Sequence, residues 1–374
     1  MARKEELRTG GVHMRRALTV LALCLWGAGC RDEPTTPVPA AQPQQAQPQS
    51  KSKGAGEGTP PPAEHRSTRG RPGDPPPALM RLGAPNPMTT SPKKVAAFID
   101  EQAGPTQSMT TFMYGEYCGW VLELDRLVQI GTAVPQHVQT EYFDGAAHGY
   151  RPDSFETATL IAKIEGVVPE GYRRFFHDGV LRSYTEKVQG DPEKVVDFAS
   201  DYASRVDGYG PFNGVRVGLQ RAYADNVSAA LKKAAEYPDD FQPALFEELG
   251  WRVGDGNDLT RIGSEGLAKL VPETSECVFA QGVARGYVLR SEMMGTTDWD
   301  KISAQLTEHV EPICARGTWR GLGWAIELLS AHDAQEFSRR LSWMTDARQR
   351  AWAEEAMTAS GQPGWELDLK KPEE

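Results

Sequence analysis

The sequence has no convincing run of alternating apolar and polar residues, which argues against a sheet-built fold. It has no Gly-x-x-x-x-Gly-Lys-Ser/Thr loop, no Gly-x-Ser-x-Gly elbow and no His-Glu-x-x-His pair, so these compact signatures of nucleotide, acyl and zinc chemistry are missing. Asp255, Asn257 and Asp258 begin like a calcium loop. Leu259 then takes the fifth position and the turn glycine is absent from the sixth, so a polar turn between helices is the better reading. His148 and His177 fall in neighbouring repeats, but no third ligand stands at a telling spacing; neither a metal nor a cofactor is expected.

Basic residues are also short. Twelve of the 41 lysines and arginines, but only seven of the 51 acids, precede Pro92, so the remainder carries −15 where the whole chain carries −10. Binding a phosphate backbone needs a basic face, and a nucleic-acid partner is therefore not expected. The surplus of acid reads as solubility.

The N-terminus carries an address. Residues 14–30 place two arginines before a short apolar stretch, then small residues up to Cys30. The stretch is too short to span a bilayer and is built like a signal peptide. Its ending, Gly27-Ala28-Gly29-Cys30, resembles the lipobox of bacterial lipoproteins. The resemblance implies cleavage before Cys30, a lipid on its sulfur, an acylated amine, and so a membrane anchor in the cell envelope. The match departs at Gly27, where that family usually has leucine, valine or isoleucine. Met14 makes a better start than Met1, because residues 1–13 lengthen and acidify the charged region. Arg31 does not match the aspartate of the usual inner-membrane retention signal, which favours the outer membrane.

Residues 31–88 hold 14 of the 27 prolines, with glutamine, alanine, serine and glycine filling most of the rest. Such a tract cannot bury enough apolar surface to offset its ordering entropy. It would span about 45 Å as a coil and about 180 Å in extended polyproline form. The expected organisation is a signal peptide over 1–29, a lipidated cysteine and linker over 30–89, and a folded domain over 90–374.

Within that domain one pattern recurs. Two small residues stand four apart at Gly115/Gly119, Gly145/Gly149, Gly179/Ser183, Gly214/Gly218, Gly250/Gly254, Gly282/Gly286 and Gly317/Gly321. From Gly145 onward the steps are 34, 35, 36, 32 and 35 residues. A period of that size marks a stacked helical-pair array. The fold class predicted is all-α, a solenoid or toroid of about seven repeats. The period resembles that of tetratricopeptide-type repeats, although the signature residues do not follow that consensus.

Glycine costs a helix about 1 kcal/mol against alanine, so its repetition needs a reason. Residues four apart share a face, and two small ones make a flat stripe that a neighbouring helix can approach closely. The stripe is expected to mark contact between successive glycine helices. Phe176, Phe212, Phe279, Trp319 and Trp324 would fill the layer beside it. The intervening helices are amphipathic, with expected caps at Ser91, Asp191 and Asp333, the last in a capping box with Glu336.

Cys118, Cys277 and Cys314 remain after Cys30. Cys277 and Cys314 stand at near-matching places in successive glycine helices, and the envelope is oxidising. Bridged Cα atoms need about 4.4–6.8 Å, whereas helix axes usually lie about 8–10 Å apart. The pair is thus a candidate disulfide that depends on close packing, and Cys118 is expected as a buried free thiol.

Arg182, Arg285 and Arg320 each follow the first glycine of their helix by three residues. Two readings stand. The three form a cation ladder that binds an anionic partner, or each pairs with an acid of its own array. The acid surplus favours the second.

Arrays of this kind offer long concave surfaces and rarely carry catalysis. The expectation is a lipid-anchored envelope protein whose body binds or scaffolds a protein partner. One alternative is an envelope enzyme on an all-helical toroid, another a passive spacer. A closed cavity with clustered ionisable groups would mark the enzyme; a groove lined by aromatics and arginines would mark the binder.

Overall fold

The computed structural model describes residues 75–102, 105–224, 226–330 and 333–359. Cys30, the signal peptide and most of the tract read as linker lie outside the described residues. Among the described residues the chain is all helical, with no strand. In chain order the first helices are α1 Pro77–Arg81, α2 Pro92–Asp100, α3 Pro105–Val121, α4 Leu124–Ala133, α5 Gln139–Gly149 and α6 Thr157–Val167. There follow α7 Arg173–Lys187, α8 Pro192–Ala203, α9 Phe212–Ala222, α10 Val227–Ala234, α11 Gln242–Asp255 and α12 Thr260–Ser264. The last are α13 Glu276–Met293, α14 Trp299–His309, α15 Ala315–Leu329, α16 Ala334–Arg340 and α17 Ala347–Ala359.

Several starts are fixed by local chemistry. The Asp191 carboxylate accepts from the Lys194 amide at 3.2 Å, and Asp333 accepts from Gln335 at 2.8 Å and Glu336 at 2.9 Å. Each satisfies amides that the first helical turn leaves open. Two expected details differ. Ser91 makes no side-chain cap, and Pro92 at the first helical position sets the entry to α2 by its fixed φ. Glu336 does not complete a capping box; its carboxylate is held by Arg339 at 2.6 Å and Arg340 at 2.8 Å.

The odd-numbered helices from α3 onward pack each against the next, and the even-numbered ones lie between them along the chain. We call the first set inner and the second outer. The inner helices run parallel. Gly115 faces Tyr142 and Gly119 faces Ala146, so both chains advance in the same direction. The contact is backbone on backbone. A Cβ on Gly145 or Gly149 would collide with the carbonyl oxygens of Phe112 and Glu116. The same reciprocal arrangement joins α11 and α13, where Gly250 meets Phe279, Gly254 meets Val283, Gly282 meets Glu247 and Gly286 meets Trp251.

Glycine contacts divide the stack. Gly214 and Gly218 of α9 turn back onto α7, while Gly250 and Gly254 of α11 turn forward onto α13. The α9–α11 seam falls between. It is filled by side chains, among them the rings of Phe212 and Phe241 with centroids 5.1 Å apart. The last junction uses a different pair, Gly323 of α15 against the Ala353 backbone of α17.

The core lies between the two layers. Phe176, Phe246, Phe279 and Trp319 are fully buried there. α13 is buried around most of its surface because α11 and α15 flank it. The folded body begins earlier than residue 90. Leu79 is fully buried, and the Tyr114 hydroxyl donates to the Pro85 carbonyl at 2.7 Å, which ties the end of the linker tract to α3.

Candidate functional site

The inner helices bring charged residues together in two groups. The first sits at the carbonyl end of α5. The last turn of a helix leaves its carbonyls without internal partners. Here three arginines supply the donors. Arg182 of α7 donates to the Ala147 oxygen, Arg221 of α9 to the His148 oxygen at 3.3 Å, and Arg151 to the Gly149 and Tyr150 oxygens at 3.4 and 3.1 Å. Cations at this end also complement the helix dipole.

Two acids complete the group. Arg221 donates to Glu116 of α3 at 2.8 Å and lies 3.6 Å from Glu186 of α7; Arg151 donates to Glu186 at 2.8 Å. His148 Nδ1 stands 3.2 Å from the same Glu116 oxygen and also meets the Arg221 guanidinium. A single arginine thus touches residues of α3, α5 and α7, the three inner helices before its own.

Burial sets the protonation states. It pushes the Glu116 carboxyl up, but the contact with His148 and the charge of Arg221 outweigh it and hold the group at about 2. Burial drives His148 well below the usual histidine range, helped by the charges of Arg221 and Arg182 and opposed by Glu116. The ring is therefore neutral at pH 7, and Arg221 rather than His148 is the counter-charge of Glu116. Burial also lowers Arg182 to about 9, with Arg221 and Arg151 adding to the effect.

The second group runs across the α9–α11 seam and onward. Arg216 of α9 lies 3.3 Å from Glu247 and 3.6 Å from Glu248, both on α11. Glu247 is fully buried and also pairs with Arg285 of α13 at 2.9 Å. The Arg285 guanidinium in turn lies 3.9 Å above the ring of Trp324 on α15. Such a stack is worth about 0.5–2 kcal/mol, depending on solvent. Trp324 is half-buried on the inner layer rather than sealed between the layers.

The three arginines singled out in the sequence occupy equivalent places but do not form one ladder. Arg182 caps α5, Arg285 pairs with Glu247, and Arg320 is buried on α15 with interactions of its own. An anion reaching Arg182 would meet the carbonyl end of α5. His148 shares their position, three residues after Gly145, and belongs to the same group as Arg182. The clue to it was available in that register. Glu116 and Arg221 carry no such mark, because their meeting depends on how far the stack curves.

Cys277 and Cys314 are joined by a disulfide with Cα atoms 5.0 Å apart. Two features allow the approach. Cys314 is the N-cap of α15 rather than part of its cylinder, and Gly317 lets α15 start against the Cys277 carbonyl. Cys118 is a free, buried thiol whose pKa burial pushes up, so it is held neutral and is a poor nucleophile. No family model, curated protein or solved structure matches the chain.

Proposed function

We propose that the chain is an envelope lipoprotein whose body is a binding or scaffolding module for a protein partner. In this reading Cys30 carries the lipid and the proline-rich tract is the tether. The body is an α-solenoid of about seven stacked pairs, most of 34–36 residues. The N-terminal half of the reading rests on the lipobox-like ending and the composition of the tract. Mass spectrometry of the mature N-terminus tests it. A diacylated or triacylated Cys30 is expected, and a free, unmodified residue at any other position sinks it.

The binding role rests on one observation, the row Arg216, Glu247, Arg285 and Trp324 carried by four consecutive inner helices. Arginine and tryptophan that remain partly open to solvent are the residue types that anchor protein interfaces. A photo-crosslinking residue at position 251 or 324, half-buried on the inner layer, should trap a defined protein from intact envelopes. The same residue at exposed Glu170 should not. Equal trapping from both places would remove the inner face from the reading.

A further inference from the structure

We propose that Arg221, Glu116 and His148 form a latch that closes α3 to α9 into one curled block, and that protonating His148 opens it. The geometry is unusual for a stack in which each unit meets its neighbours. Arg221 donates to Glu116, 105 positions earlier, and approaches both nitrogens of His148, 73 positions earlier. It also lies within 3.6 Å of Glu186. In the second block Arg285 of α13 joins Glu247 of α11 to Trp324 of α15, so it meets the helix on either side of its own, whereas Arg221 reaches three helices back. Arg221 thus closes the first block across three junctions, beside the glycine contacts that join its neighbouring helices.

The switch follows from donor and acceptor chemistry. A guanidinium only donates, so the nitrogen of His148 that faces it must lack a proton. The neutral ring with its proton on Nε2 meets that need: Arg221 then donates to both Nδ1 and Glu116, and Nδ1 makes no hydrogen bond to the carboxylate in the closed form. One proton taken up at Nδ1 removes the acceptor and creates a second cation against Arg221. The imidazolium then donates to Glu116, the carboxylate that Arg221 had held. Arg221 loses the ring as an acceptor and must share Glu116 with the new cation. The other charges facing His148 reinforce the outcome. Arg182 of α7 repels the new cation as Arg221 does, and Glu186 of α7 is already engaged by Arg151. Burial holds His148 neutral well below the usual histidine range, so the closed form persists at neutral pH and yields only in acid.

Hydrogen exchange on the full mature protein in detergent tests the latch, compared at pH 7.5 and 4.5 after correction for intrinsic rates. Exchange of α3 and α9 amides should rise by up to about ten-fold per pH unit below about 6.5, where the opened ring takes up a proton and the closed one does not, while α13 and α15 hold. His148→Gln keeps an acceptor for Arg221 and cannot be protonated, so its α3 and α9 should stay protected at pH 4.5. Arg221→Gln should be open at both pH values. His177→Gln, which removes the other buried histidine of this block, should respond as the parent does. Equal acid response in the parent and His148→Gln overturns the proposal, as does loss of protection spread evenly over all helices. Exchange reads opening with no partner present, so failure of the binding role leaves this test intact.

Discussion

Arg221 stands 105 positions beyond Glu116 in sequence and donates to its carboxylate across 2.8 Å. Glu116 is 3 % exposed, so water cannot replace the arginine if it is removed. Arg221→Met should cost about 3–5 kcal/mol, the range for stranding one buried charge of a pair. Adding Glu116→Gln should restore part of that loss, since the double variant strands no charge. Urea denaturation of the single and double variants measures both. A fully additive double variant would show that the two side chains are not coupled.

Two glycines should respond oppositely to one methyl group. A Cβ on Gly282 would run into the Glu247 carbonyl and the Trp251 amide, both of them backbone, whereas Gly166 in α6 has nothing within 4 Å of its Cβ position. Gly282→Ala should lose about 3 kcal/mol through overpacking. Gly166→Ala should gain about 0.4–1 kcal/mol by reducing the freedom of the unfolded chain. Thermal melts of the two variants decide the matter.

Stability should fall in acid before the carboxylates titrate. Burial lowers His177 to about 4, and the charge of Arg173 adds to it; burial likewise holds His148 well below 6.5. Both rings bind a proton more readily unfolded than folded. Their stabilisation is thus complete above about pH 6.5 and is lost as pH falls toward the folded values. His148 alone contributes a slope of up to ~1.4 kcal/mol per pH unit. Glu116, at about 2 in the folded chain, adds its loss only below about 4.5. Denaturation midpoints between pH 8 and 4 should bend near 6.5, and His148→Gln should flatten the bend.

The disulfide should be worth a measurable part of the stability. It closes a separation of 37 residues, for which the chain-entropy model gives about 4 kcal/mol. Reduction, or replacement of both cysteines by alanine, should lower the melting temperature. Thiol titration of a denatured chain beginning after Cys30 should find Cys118 alone before reduction and all three cysteines after it. Three free thiols without reductant would contradict the bond.

Much of the inner layer was legible because glycine is a backbone signal. The spacing of Gly250/Gly254 and Gly282/Gly286 reports contact directly, since only main chain can fill the room that two missing side chains leave. Asp191 and Asp333 were readable for a similar reason: a cap acts within three residues of itself. Leu79 was missed because proline and glycine around it hide a single buried anchor from any compositional measure. Glu116 and Arg221 were missed because they answer to curvature, a property summed over four helices and written in none of them. Trp324 went to the wrong place because helical spacing alone did not distinguish the inner surface from the layer beneath it.

The direction of the glycines has a mechanical consequence. Where Gly282 and Gly286 lie on the backbone of α11, nothing soft separates the helices, so that junction neither compresses nor slides. The seam between α9 and α11 has no such seal. It is held by Arg216 reaching Glu247 and Glu248 and by two phenyl rings, all of which can rotate about side-chain bonds. Among the described inner junctions the α9–α11 seam is the one that no glycine closes, so Arg216 carries there, through side-chain atoms, a contact that main chain makes elsewhere.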